Sequence, residues 1–151
     1  MNNNDHSSEQ AFQKTVRIHA PVLKVWNSLT DPLLMKRWMY EGEIAIITDW
    51  KVGHPFTIRG ASHGATFENR GKVLQFERGK ALQYTHLSSI SALPDEPASY
   101  TVLEFSLMPA EEQTVLTFGA HNFPTESIYR HFAFYWNVAL EVLKKDVEGL
   151  P

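Results

Sequence analysis

The run Gly60-Ala61-Ser62-His63-Gly64 fits G-x-S-x-G, a pattern in which a serine on a tight turn is the nucleophile of acyl transfer. That chemistry needs a strand-to-helix turn and an oxyanion hole above it. The residues after Gly64, ATFENRGKVLQF, read as a turn into a strand, so Gly60 and Gly64 are assigned to a hairpin turn and Ser62 to no reaction. Seven histidines raise metal binding as a second chemistry. None falls in H-E-x-x-H or another tight ligand spacing, and no cysteine is present to complete a site, so no metal and no cofactor is expected. His6 in the N-terminal tail, His19 at a strand end, and His54 and His63 near turns read as solvated. His86 is different. Alternation along residues 81–88 sets Leu82, Tyr84 and His86 on one face against Gln83 and Thr85, which points the imidazole inward, toward Phe105 of the following strand. Two roles suit it there. It is either a buried ring hydrogen-bonded to a hydroxyl or carbonyl, or a polar anchor in an apolar pocket that orients a ligand or moves a proton. Glu68, Glu104, Asp49 and Tyr135 are its candidate partners.

The elements that position these residues follow from periodicity. Residues 12–18 alternate as a first strand. Pro21 suits a first helical position, and Val22, Val25, Trp26 and Leu29 share one helical face. Asp31-Pro32 then signals a second start, for a short helix to about Met39 with Leu34 and Trp38 on one face and Gly42 to end it. Six more strands are predicted at 43–49, 54–60, 66–77, 81–88, 98–108 and 113–121, with the Pro-rich and acidic SALPDEPAS as the longest loop. Leu103, Phe105 and Leu107 oppose Glu104 and Ser106, as expected of an antiparallel sheet covered on one side. The cover is a helix over about 124–148, where Phe132, Trp136, Ala139, Leu140, Leu143 and Val147 recur at helical spacing. The fold class is therefore α+β.

Composition bounds the function. With 151 residues the chain suits one domain, here residues 11–151 after a polar tail at 1–10. A net charge of −3 without a basic cluster speaks against nucleic acid and anionic membranes. The absence of cysteine excludes disulfides and thiolate catalysis. No basic and apolar leader and no run long enough to span a bilayer is present, so a cytoplasmic protein without integral membrane association is expected.

In order and spacing, HAPVLKVWNSLTDPLLMKRWM, GKVLQFERGKALQYTH, TVLTFGAHNF and WNVALEVLKKDVEG resemble the START-like (SRPBCC) helix-grip superfamily. The branch is that of the homologues of the activator of heat shock protein 90 ATPase, and the likeness covers about residues 12–149. It departs at Arg78-Gly79-Lys80, where a basic-proline turn is common, and at His86, where an aromatic is frequent. No counterpart of the extra domain of the eukaryotic activators is expected, which speaks against chaperone stimulation. The resemblance implies a curved sheet of about seven strands around the long helix and a cavity between them for a small hydrophobic, aromatic or lipid-like molecule. Its implied lining is Trp26, Trp38, Trp50, Phe56, Tyr84, His86, Phe105, Phe132, Tyr135 and Trp136. On this reading residues 131–136 wall the pocket and 139–147 fill the core. An aromatase, cyclase or dehydratase with His86 and Tyr84 as acid and base is the alternative, and a stress-response module that binds a chaperone is the third. Monomer and homodimer are both left open.

Overall fold

The computed structural model describes residues 10–62 and 64–151. Tail residues 1–9, with His6, and His63 of the G-x-S-x-G run lie outside them. Seven strands form one antiparallel sheet, in the order β1-β7-β6-β5-β4-β3-β2. They are β1 (Ala11–Ile18), β2 (Ile44–Thr48), β3 (Pro55–Ser62), β4 (Ala65–Glu77), β5 (Ala81–Ser88), β6 (Thr101–Ala110) and β7 (Gln113–His121). Helices α1 (Val22–Thr30) and α2 (Pro32–Met39) follow β1, and α3 (Glu126–Gly149) closes the chain. This is the helix-grip α+β fold expected from the pattern. Among the described residues no helix is long and apolar enough to cross a membrane.

The helix ends show where local signals acted and where packing overrode them. Asp31 caps α2, its Oδ1 accepting from Leu33 N at 3.0 Å. Thr125 caps α3, its Oγ1 accepting from Ile128 N at 3.1 Å. Pro21, expected in the first turn of α1, is instead its N-cap residue, with φ −70° and ψ 158°, and its carbonyl accepts from Lys24 N and Val25 N. Helix α2 ends at Met39, as expected, where Tyr40 turns extended and inserts its ring between Phe67 and Tyr135, at centroid distances of 5.5 and 5.7 Å. The sixth strand begins at Thr101 rather than 98, since Pro97–Ser99 wind into a short 3₁₀ turn closed by Tyr100 N to Pro97 O.

Inward side chains of the sheet, among them Val16, Ile18, Leu82, Leu103, Phe105, Leu116 and Phe118, bury against Trp136, Ala139, Leu140, Leu143 and Val147 of α3. Polar ties fasten the middle and end of that helix. Lys14 Nζ donates to Asn137 Oδ1 at 2.8 Å, Lys144 Nζ to Arg17 O at 2.7 Å, and His19 N to Glu148 Oε2 at 2.8 Å. Arg37 of α2 grips Asp146 through Nε and Nη2. Two features bend the sheet opposite. The β4–β5 register slips between Val73 and Gln75, and at Gly71 any Cβ would run into the Thr85 carbonyl.

Candidate ligand-binding cavity

Between the first turns of α3 and the bent strands the packing leaves a cavity of about 350 Å³. His131, Phe132, Tyr135 and Trp136 wall it from the helix side, and Phe56, Ile58, Phe67, Asn69, Tyr84 and His86 from the sheet side. Met39 and Tyr40, at the end of α2, contribute a third edge. Ile90, 74% exposed, and the exposed His131 also border it, which puts its mouth between the 3₁₀ turn Ser89–Ser91 and the start of α3.

The titratable groups deep on this wall are shifted toward their neutral forms. Burial pulls the His86 pKa down to about 4, so its imidazole is neutral at pH 7. The ring meets the edge of Phe132 at 5.3 Å. None of the four partners considered for it is available: Glu68 binds Arg59 and Arg70, Asp49 binds His54, Glu104 faces His121, and the Tyr135 hydroxyl donates to Met39 O. Burial, joined by the neighbouring Tyr40 phenol, raises the Tyr84 pKa far above that of a free phenol. Tyr135 is raised in the same way, by burial first and then by Tyr40 and Tyr84. Tyr40 is raised by burial, against the opposing effect of its hydrogen bond from Asn69 Nδ2 at 2.9 Å.

Of the ten aromatic and histidine candidates, Phe56, Tyr84, His86, Phe132, Tyr135 and Trp136 lie on the cavity wall. The other four lie elsewhere. Trp26 packs its ring on Phe76 at 5.2 Å in the core under α1. Trp50, at φ 59°, stacks between Phe56 and Phe76, and its indole N–H donates to Thr30 O at 2.7 Å. Phe105 is buried between Tyr84, Phe118 and Trp136. Trp38 donates its indole N–H to Ser28 O at 2.9 Å and borders a separate surface groove between α2 and α3. Asn69 and Tyr40 were not singled out from sequence. The available signal was parity, since Asn69 shares the inward face of β4 with Phe67 and Val73.

The G-x-S-x-G run falls at the end of β3 and in the hairpin to β4, with no helix behind it. Gly64, at φ 81°, holds the turn. Gly60 does not belong to the turn, contrary to expectation. It is paired within β3, where a Cβ would come within 2.7 Å of the Phe67 ring and 2.9 Å of Ile44. Three other described histidines pair singly, His54 with Asp49, His19 with Gln113 and His121 with Glu104.

Residues 19–148 match the model of the family described as "Activator of Hsp90 ATPase homolog 1-like protein". No curated protein matches the sequence significantly. Among solved structures, a Cytophaga hutchinsonii protein is 32% identical, with 92% of this chain and 94% of that one covered and a TM-score of 0.78. A Mesorhizobium loti protein is 25% identical, covering 94% and 99%, with a TM-score of 0.75. The Aha1 dimer from Colwellia psychrerythraea shares the fold at 23% identity, covering 93% and 97%, with a TM-score of 0.72.

Proposed function

The chain belongs to the activator of Hsp90 ATPase homolog 1-like protein family, and from that premise we propose that it binds a compact apolar or aromatic small molecule between sheet and α3. The observation that carries this reading is the cavity itself, about 350 Å³ walled by aromatic rings with a few polar groups. Ligand sites have this character, at roughly 300–1,000 Å³. Its size favours one or two fused rings over a long acyl chain. Acid–base chemistry fits less well. A proton-transfer group works best with a pKa near the operating pH, whereas burial moves the His86 and Tyr84 values away from neutrality in opposite directions. Titration with the neutral probe N-phenyl-1-naphthylamine tests the proposal. Saturable binding that quenches tryptophan emission is expected, and a linear, unsaturable response would overturn it.

An outer surface favours a second reading, self-association. Phe134, Val138 and Val142 repeat every fourth residue along α3 and are 75%, 49% and 40% exposed beside the groove bordered by Lys36 and Arg37. The Colwellia psychrerythraea relative is described as a dimer. Sedimentation velocity should then show a homodimer that Phe134→Glu dissociates, and a monomeric wild type at high concentration would sink this reading. A chaperone in place of a second copy is the remaining alternative. It requires the monomer to raise the ATPase rate of purified Hsp90.

A further inference from the structure

We propose that the cavity selects ligands bearing a hydrogen-bond donor, a phenolic or alcoholic O–H or an aromatic amine N–H, and that it receives this donor on Oδ1 of Asn69. The inference rests on the ligand-binding reading above and assigns the class of head group and the residue that reads it.

Asn69 is 6% exposed and lies on the cavity wall. Its Nδ2 donates to the Tyr40 hydroxyl at 2.9 Å, which fixes the amide plane. The other end, Oδ1, has no partner among the described residues. Oδ1 is itself closed to solvent in this structure, so a donor reaches it as the side chains over it part. Buried polar groups are nearly always paired, and an orphan carbonyl on a residue of the cavity wall marks a place where an entering ligand completes the bond. The geometry around it is rigid, since Tyr40 is wedged between the rings of Phe67 and Tyr135. The amide is held at Nδ2 rather than free to swing, so a ligand that parts the side chains over Oδ1 meets an acceptor of fixed orientation.

The wall also says what the ligand is not. Among the described residues no Lys, Arg, Asp or Glu lines the cavity, and His131 borders only its exposed mouth, so a carboxylate, phosphate or ammonium head at Asn69 would lie without a fixed counter-charge. An anionic head would in addition bring oxygen lone pairs against Oδ1, acceptor against acceptor. A neutral molecule of one or two rings carrying one O–H or N–H satisfies both the volume and the orphan acceptor.

Isothermal titration with 2-naphthol, 2-methoxynaphthalene and naphthalene tests this on wild type and on Asn69→Leu. These probes share one ring system, and only 2-naphthol has a donor. Wild type is expected to bind 2-naphthol about tenfold more tightly than the ether, the factor that one buried hydrogen bond supplies. In Asn69→Leu the gap should close, with naphthalene bound at least as well as before. Should that variant not fold, the Asn69 side-chain amide resonances of wild type give the same answer, shifting with 2-naphthol and not with the ether. Equal affinities for all three probes would overturn donor selection and leave the cavity reading standing. Tighter binding of the ether would mean that the amide presents Nδ2 and would overturn the proposal as well. If none of the three binds, the ligand-binding reading itself fails.

Discussion

His86 carries an imidazole against the edge of a phenyl ring, with no carboxylate or hydroxyl bonded to it among the described residues. Its pKa of about 4 has a direct consequence for stability. In the unfolded chain the ring takes up a proton near its ordinary value of about 6.5. The folded chain does so only near 4, so between these values the unfolded state binds more protons and stability rises with pH. Wild type should therefore lose stability as the pH falls from about 6.5 to about 4, by at most about 3 kcal/mol, with no further loss from this group below that. His86→Phe removes the titration and keeps a planar ring. Urea melts across that pH range should show the variant falling less steeply, and parallel curves would refute the assignment. Ser62, at the end of a strand that turns directly into another, should be dispensable. Ser62→Ala is expected to bind 2-naphthol as wild type does, and a loss would reopen the nucleophile reading.

Among the elements, the β4–β5 pair and the start of α3 together shape the cavity. Gly71 packs directly against Thr85 of the neighbouring strand, and Gly71→Ala would drive a methyl group into the Thr85 carbonyl. Thr85 cannot retreat freely, because its hydroxyl also accepts from Lys72 N at 2.9 Å. We expect a loss of about 1–3 kcal/mol, the usual range for overpacking, accompanied by weaker binding of N-phenyl-1-naphthylamine. Stability equal to wild type in urea titration would show that the strands separate without cost. At the other wall, Thr125→Ala deletes the acceptor for Ile128 N and should cost about 1 kcal/mol. Faster amide exchange confined to the first turns of α3 is the expected signature.

For the whole molecule the joint is Trp136, which stacks on Phe118 of β7 at 4.5 Å and meets the edges of Phe105 of β6 and Trp38 of α2 at 5.7 and 6.0 Å. One ring thus holds the sheet, the short helices and α3 around a common point while bordering the cavity. Trp136→Ala should cost about 3–5 kcal/mol, as large-to-small changes of buried aromatics do. Leu74→Ala, on the outer face of β4 at 41% exposure, should change stability by less than about 0.5 kcal/mol. Similar losses in the two variants would contradict a single core organised around Trp136.

Alternation of period two, helical spacing and capping residues act over a few neighbours, and they sufficed for the element order, the antiparallel sheet and the Asp31 cap. They also told which residues point inward. Pointing inward does not decide whether a ring meets another ring or empty space. Trp26 and Phe105 are inward and fully packed and Trp50 is partly buried against the same core, whereas Tyr84 and His86, on the same inward face of β5, border the cavity. That difference depends on where α3 leaves the curved sheet. The bend at Gly71, the register slip after Val73 and the ties from Lys14, Lys144 and Arg37 set it, and these join residues more than 100 positions apart as well as near neighbours. Asn69 shows the same limit. Its parity was readable from the strand, but its unpaired oxygen exists only because Tyr40, 29 residues away, takes its nitrogen. Local pattern determines which face a side chain takes, and only the closure of distant segments decides what it finds there.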